Sequence, residues 1–228
     1  MRKYIAGLCC VLLVSLTAQT GNVSARNLDA LQEIAEQGDA EAQFVLGAFY
    51  LSGHGVPKDD AIALQWFKKS AEQGNAEAQF GLGAMYTAGR GVPQDHATAA
   101  QWYQKAAEQG DTDAQSMLGA IYLIGQGVPK DELKGTQWFK KAADQGNADA
   151  QAVMGGLYCL GRGIARDRLA GCGMLRASAE QGHKKAIELH NDYCATYKND
   201  ISQAEFEKRL SNEITKLVKS AEALGAMK

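Results

Sequence analysis

The sequence predicts an all-α chain, a solenoid of four 36-residue helix-hairpin repeats closed by a C-terminal helix. Two observations carry that expectation. A twenty-residue segment returns four times at constant spacing, as AEAQFVLGAFYLSGHGVPKD at 40–59, AEAQFGLGAMYTAGRGVPQD at 76–95, TDAQSMLGAIYLIGQGVPKD at 112–131 and ADAQAVMGGLYCLGRGIARD at 148–167. Apolar residues make up 46% of the chain, charged residues 22%, and prolines number only 3. That composition favours packed helices over a disordered chain.

Each unit begins with helix-starting chemistry. Asp39, Asn75, Asp111 and Asn147 are N-cap residues, whose side-chain oxygens can accept from free backbone N–H groups of the first turn. Glu41, Glu77, Asp113 and Asp149 place negative charge in that turn, where the helix dipole favours it. Ala42, Leu46 and Tyr50 follow at i, i+4 and i+8 as an apolar stripe. Gly53 ends the first helix and Gly55 continues the turn. Asp59, Asp95, Asp131 and Asp167 then cap the second helix, whose buried face is expected to carry Trp66, Trp102 and Trp138. Met174 stands in that place in the fourth unit.

Gly47, Gly83, Gly119 and Gly155 lie inside first helices, where each costs up to ~1 kcal/mol relative to Ala. Four in register require a close approach by a neighbouring helix, assigned to the large Trp or Tyr side chains. Together with Tyr50, Tyr86, Tyr122 and Tyr158, these glycines and tryptophans are read as structural. Trp102 in particular is expected between two repeats. A single unit cannot bury such a face alone, whereas stacked units share one core.

The expected organisation is a signal peptide at 1–25, an N-terminal half-repeat cap at 26–38, and repeats at 39–74, 75–110, 111–146 and 147–182. A degraded repeat and C-terminal capping helix occupy 183–228. Arg2 and Lys3, the apolar run from Tyr4 to Leu16, and Val23-Ser24-Ala25 have the order of an export signal cleaved near Ala25. The expected location is therefore periplasmic or secreted. Cleavage leaves 24 − 2 = 22 basic against 26 acidic residues. The formal charge of −2 gives no electrostatic reason for nucleic acid as partner, and no further apolar run is long enough to span a membrane. LDALQEIAEQG at 28–38 matches the end of a second helix. Ser202 and Glu205 form a capping box, and Leu210, Ile214, Leu217, Ala221 and Leu224 give 203–224 one apolar face that covers the last repeat.

The pattern Ala-x-x-x-Leu-Gly-x-x-Tyr-x-x-Gly-x-Gly-Val, followed by Asp, Trp and Ala-x-x-Gly, resembles the Sel-1-like repeat over about residues 28–190. Gln43, Gln79, Gln115 and Gln151 occupy the site where the related tetratricopeptide repeat carries Trp, and the period is 36 rather than 34. The resemblance implies an α/α superhelix that acts as a protein–protein adaptor, with exported members contacting envelope or host proteins. A protein or peptide partner would then lie on the concave face formed by first helices. The candidate residues are Glu41, Phe44, Ala48 and Ser52, Glu77, Phe80, Ala84 and Ala88, and Asp113, Ser116, Ala120 and Ile124. Phe44 and Phe80 either line an apolar pocket rimmed by Glu41, Glu77 and Asp113, or belong to the core.

Three cysteines follow the signal, Cys159, Cys172 and Cys194. Cys159 and Cys172 flank the fourth turn almost symmetrically, and cysteine-rich relatives staple a hairpin comparably. A Cys159–Cys172 bond is the expectation, with Cys172–Cys194 its rival and three thiols the remaining possibility.

Enzyme signatures are missing. There is no nucleophile elbow, zinc-protease His pair or phosphate loop, the Gly-x-Gly turns join helix to helix, and His54, His96, His183 and His190 lack metal-ligand spacing with the cysteines. No cofactor or metal is expected. Some cysteine-rich relatives are linked to β-lactam binding or hydrolysis, but no serine-lysine motif supports that here. Regulation of a cell-wall enzyme is the other alternative to a general adaptor.

Overall fold

The computed structural model describes residues 25–195, 208, 211–216 and 218–219. The export signal expected over 1–24 lies outside them, as do 203–207, 209–210, 217 and 220–224 of the expected C-terminal helix. Among the described residues the regular structure is entirely helical. Helix α1 spans Ala25–Glu36, α2 Ala40–Ser52, α3 Asp60–Glu72, α4 Ala76–Ala88 and α5 His96–Glu108. Then come α6 Thr112–Ile124, α7 Glu132–Asp144, α8 Ala148–Leu160, α9 Arg168–Glu180 and α10 Lys184–His190, which runs into a π-helical turn at Asn191–Ala195. Residues 211–216 and 218–219 are helical. The chain divides into two compact units between Ala106 and Ala107, within α5.

The helix boundaries follow from their caps. Asp39 accepts from the N–H of Ala42 at 2.8 Å, Asn75 from Ala78 at 2.8 Å, Asp111 from Ala114 at 2.6 Å and Asn147 from Ala150 at 2.9 Å. Such a cap contributes about 1 kcal/mol. Asp59, Asp95, Asp131 and Asp167 do the same for second helices. Each first helix ends on a left-handed glycine; Gly53, at φ 78°, donates to the Phe49 carbonyl at 2.8 Å. The turn closes when the N–H of Asp59 donates to the Tyr50 carbonyl at 2.9 Å. Gly91 and Gly163 need more than positive φ, because a methyl there would overlap the backbone carbonyls of Asp60 and Glu132 respectively.

In the first unit the interior glycines receive the residue after each tryptophan. A methyl on Gly47 would lie 2.7 Å from Cδ1 of Phe67, and one on Gly83 2.6 Å from the Tyr103 ring. Phe67 and Tyr103 are buried, and Trp66 and Trp102 are half-buried. The second unit repeats the arrangement with Phe139 against Gly119 and Leu175 against Gly155. This corrects the assignment of Trp66, Trp102 and Trp138 as the buried aromatics. Trp66 and Trp102 do pack against core clusters of the first unit. All three tryptophans also carry a lysine ammonium over the ring, Lys69 at 4.1 Å and Lys105 and Lys141 at 3.9 Å. An indole with one wet face suits that cation. Adjacent helical positions differ by about 100° in direction, so the interhelical slot admits one of the two rings.

Glutamines, buried at 43, 79 and 115 and half-buried at 151, tie repeat to repeat. Gln43 reaches back eight residues to the Ala35 carbonyl at 3.0 Å, Gln79 to Ala71 at 3.1 Å, Gln115 to Ala107 at 3.1 Å and Gln151 to Ala143 at 3.3 Å. Gln73 then donates to Gln43 at 2.8 Å, and Gln145 to Gln115 at 2.9 Å. A buried amide requires such partners.

Candidate functional site: the face of the first helices

First helices α2 and α4 in the first unit, and α6 and α8 in the second, hold the expected recognition residues. Most of them are committed to the scaffold. Phe44 stacks on Phe67 with ring centroids 5.7 Å apart, and Phe80 meets Tyr103 at 5.5 Å. Both phenylalanines are half-buried. They seat on the second helix of their own hairpin, which favours the core alternative. Glu41 accepts from the Asn75 amide at 3.2 Å, and Asp113 from that of Asn147 at 3.3 Å. These acidic residues therefore brace the next repeat's cap.

Ser116 departs furthest from a surface role. It stands where Phe44 and Phe80 stand in earlier repeats, yet it is buried and its hydroxyl has no hydrogen-bond partner. That corrects its assignment to a recognition surface. What remains accessible is narrower. Ser52 and Ala88 are exposed at the ends of α2 and α4, Glu77 is exposed in the first turn of α4, and Ile124 is exposed at the end of α6. The Ser52 hydroxyl donates to the Ala48 carbonyl at 2.8 Å.

Charged clamps lie at the turns. In the first unit Arg90 forms a two-nitrogen bridge to Asp60 at 3.0 and 3.3 Å, and in the second Arg162 meets Glu132 at 2.7 Å. Arg162, and then Lys130, holds the Glu132 carboxyl below the usual carboxylate range. These pairs join successive repeats thirty residues apart, a spacing that single-helix patterns do not reveal.

Cys172 is bonded to Cys194, and Cys159 is a buried free thiol. The expected Cys159–Cys172 bond is thus replaced by its rival. A methyl on Gly171 would lie 2.5 Å from the Cys159 sulfur, so Gly171 faces α8. Its neighbour Cys172 points about 100° away around α9. Symmetry about the turn set the height of the two cysteines but not their directions. Burial pushes the Cys159 thiol up, which leaves it protonated and a poor nucleophile. Among the described residues no group of three or more His, Cys, Asp or Glu is placed to hold a metal. No helix among the described residues is long and apolar enough to cross a membrane.

Stacked helical hairpins with buried inter-repeat ties define an all-α repeat protein of the α/α solenoid class. Four consecutive stretches, 40–75, 76–111, 112–147 and 148–183, match the Sel1 repeat, and the chain belongs to that family. Proteins of this family generally serve as protein–protein interaction scaffolds. A protective antigen of uropathogenic Escherichia coli strains with an SLR fold is 35% identical, with a TM-score of 0.73, and the match covers 90% of this chain and 42% of that one. A Sel1 repeat protein from Oxalobacter formigenes is 36% identical, with a TM-score of 0.68, covering 73% of this chain and 48% of that one. The chain thus spans less than half the length of either. An immunity protein from Pseudomonas aeruginosa shares the fold at 20% identity and a TM-score of 0.52, covering 97% and 83% of the two chains. No curated protein resembles the chain closely enough to count as a match.

Proposed function

We propose that this chain is an exported adaptor that holds a protein or peptide partner on the exposed residues of its first helices. The observation that carries the reading is the division of labour along those helices. The recurring Gly, Gln and Asn/Asp positions are consumed in packing, ties and caps. One position that varies between repeats, Ser52 and Ala88 in the first unit and Ile124 in the second, faces solvent. A scaffold built from repeated residues leaves its varied surface free for recognition. The disulfide supports an oxidising compartment, in keeping with the n-region, apolar run and Val23-Ser24-Ala25 of the leader.

A photocrosslinking residue at Ser52 or Glu77, compared with one at Lys68 on the second helix, tests the reading in cells. A discrete adduct from the first two positions and none from Lys68 is expected. Equal labelling at all three would remove the assignment of the face. Mass measurement of the native protein checks export, with a mature chain beginning at Arg26 as the expected result.

A further inference from the structure

The second residue of each second helix is exposed in all four hairpins, at Ala61, Ala97, Leu133 and Leu169. It is alanine in the first unit and leucine at both places in the second. Alanine and leucine form helix almost equally well, so helix formation does not account for the exchange. Packing does not either. Leu133 is 59% exposed and Leu169 86%, the two most exposed large apolar side chains among the described residues. A first-turn side chain leans toward the helix N-terminus, so both leucines project off the turn edge of the unit rather than lining a hollow. The two turns are joined: Arg162 of the fourth hairpin meets Glu132 at 2.7 Å, and Gly163 packs closely against the Glu132 carbonyl. Charge changes along the same edge. The formal charge is negative at 58–62 and at 94–98, with His96 counted neutral. Lys130 and Lys134 balance Asp131 and Glu132, and Arg166 and Arg168 exceed Asp167. Those three carboxylates are engaged within the fold. Asp131 and Asp167 accept from the N–H groups of Lys134 and Ala170 at 2.9 Å, and Glu132 takes both Arg162 and Lys130. The side chains of Lys130 and Lys134 stay more than half exposed.

The geometry points to a lipid-docking edge: the turn edge of the second unit rests on an anionic bilayer, with Leu133 and Leu169 entering the headgroup–acyl boundary and Lys130, Lys134, Arg166 and Arg168 against lipid phosphates. Protruding side chains need a receiving phase that yields around them. A bilayer interface does so without matching pockets, whereas a folded partner would have to supply one for each leucine. The basic residues beside the leucines select an anionic surface. Two leucines and a small basic excess give a reversible, peripheral attachment, not a span. The inference goes beyond the adaptor reading and does not rest on it.

The test is co-sedimentation of the full-length chain with vesicles, made of phosphatidylcholine alone or of phosphatidylcholine and phosphatidylglycerol in equal parts. Wild type is expected to bind the mixed vesicles saturably, and raised salt to weaken that binding. Leu133→Ser with Leu169→Ser should weaken it at least about tenfold at unchanged helicity, because both side chains are exposed. Lys130→Gln with Arg166→Gln should lower binding to the mixed vesicles toward the level seen with phosphatidylcholine alone. Wild type and variants share one leader, so the comparison isolates the edge. Hydrogen exchange then locates the contact: on mixed vesicles it should slow at 130–134 and 166–170 and stay unchanged at 58–62 and 94–98. Absence of binding to the mixed vesicles would overturn the proposal and leave the edge to an acidic protein partner. Full binding by the leucine variant would overturn it too, as would unchanged exchange at 130–134 and 166–170. Crosslinking from Ser52 and Glu77 reads other residues, so either result stands without the other.

Discussion

Truncating Phe67 should cost far more stability than truncating the larger Trp66 beside it. Phe67 is 2% exposed. Its ring fills the slot left by Gly47 on α2, and its other edge lies 3.4 Å from where a methyl on Gly81 of α4 would be. It also stacks on Phe44. One ring thus joins three helices and two repeats. Removing a buried phenylalanine typically costs about 3–5 kcal/mol, and with glycine facing the ring at 47 on α2 and at 81 on α4, neither position has a side chain to fill the void without moving whole helices. Trp66 keeps one face toward solvent under Lys69, so Trp66→Ala should cost about 1–2 kcal/mol, scaled from partial burial. Urea unfolding followed by far-ultraviolet circular dichroism measures both, with the midpoint read at constant slope. The reasoning is refuted if Trp66→Ala destabilises as much as Phe67→Ala. The same logic lowers the cost of Trp102→Ala from the ~3–5 kcal/mol that full burial would bring to about 1–2 kcal/mol.

Removing the Cys172–Cys194 bond by Cys172→Ser should destabilise the second unit by about 3 kcal/mol, since it closes a 22-residue separation. Mapping without reductant should recover a 172–194 linked pair and find Cys159 labelled only after denaturation; a 159–172 pair would contradict the geometry. Ser116→Ala should raise stability by about 1 kcal/mol, because it deletes a buried hydroxyl without a partner and the fourth repeat already carries Ala152 there. A lower melting temperature would show that the hydroxyl is bonded in solution. Glu132 has a lowered folded-state value, so its contribution is complete above the ordinary carboxylate value. It fades as pH falls through the lowered one. Arg162→Ala should flatten the loss of melting temperature below about pH 5, by less than ~1 kcal/mol for so exposed a pair; parallel acid slopes for both chains would exclude the clamp.

The caps and turns were legible because they are local. Asp39 and Asn75 need only their own first turn to act, and Gly53 needs only its own φ. The repeat period then made every such feature visible four times. The glutamines were visible in register but silent, since a Gln at position 43 has no sequence signal for a carbonyl eight residues earlier. Gly156, at the place of Ala48, Ala84 and Ala120, likewise carries no local signal for its reason, which is the Ile214 side chain in the space a methyl would take.

Sequence by itself determined the number of hairpins, where each helix starts and stops, and which positions are equivalent. It could do so because backbone capping, glycine conformation and helical periodicity act within a few residues. Tertiary structure alone decided which side of a helix faces inward: Phe67 rather than Trp66 in the interior slot, Gly171 rather than Cys172 toward Cys159, so that Cys172 meets Cys194, and Ser116 turned inward. Adjacent positions differ by about 100° around a helix axis. Only the arrival of another helix fixes which direction is inside.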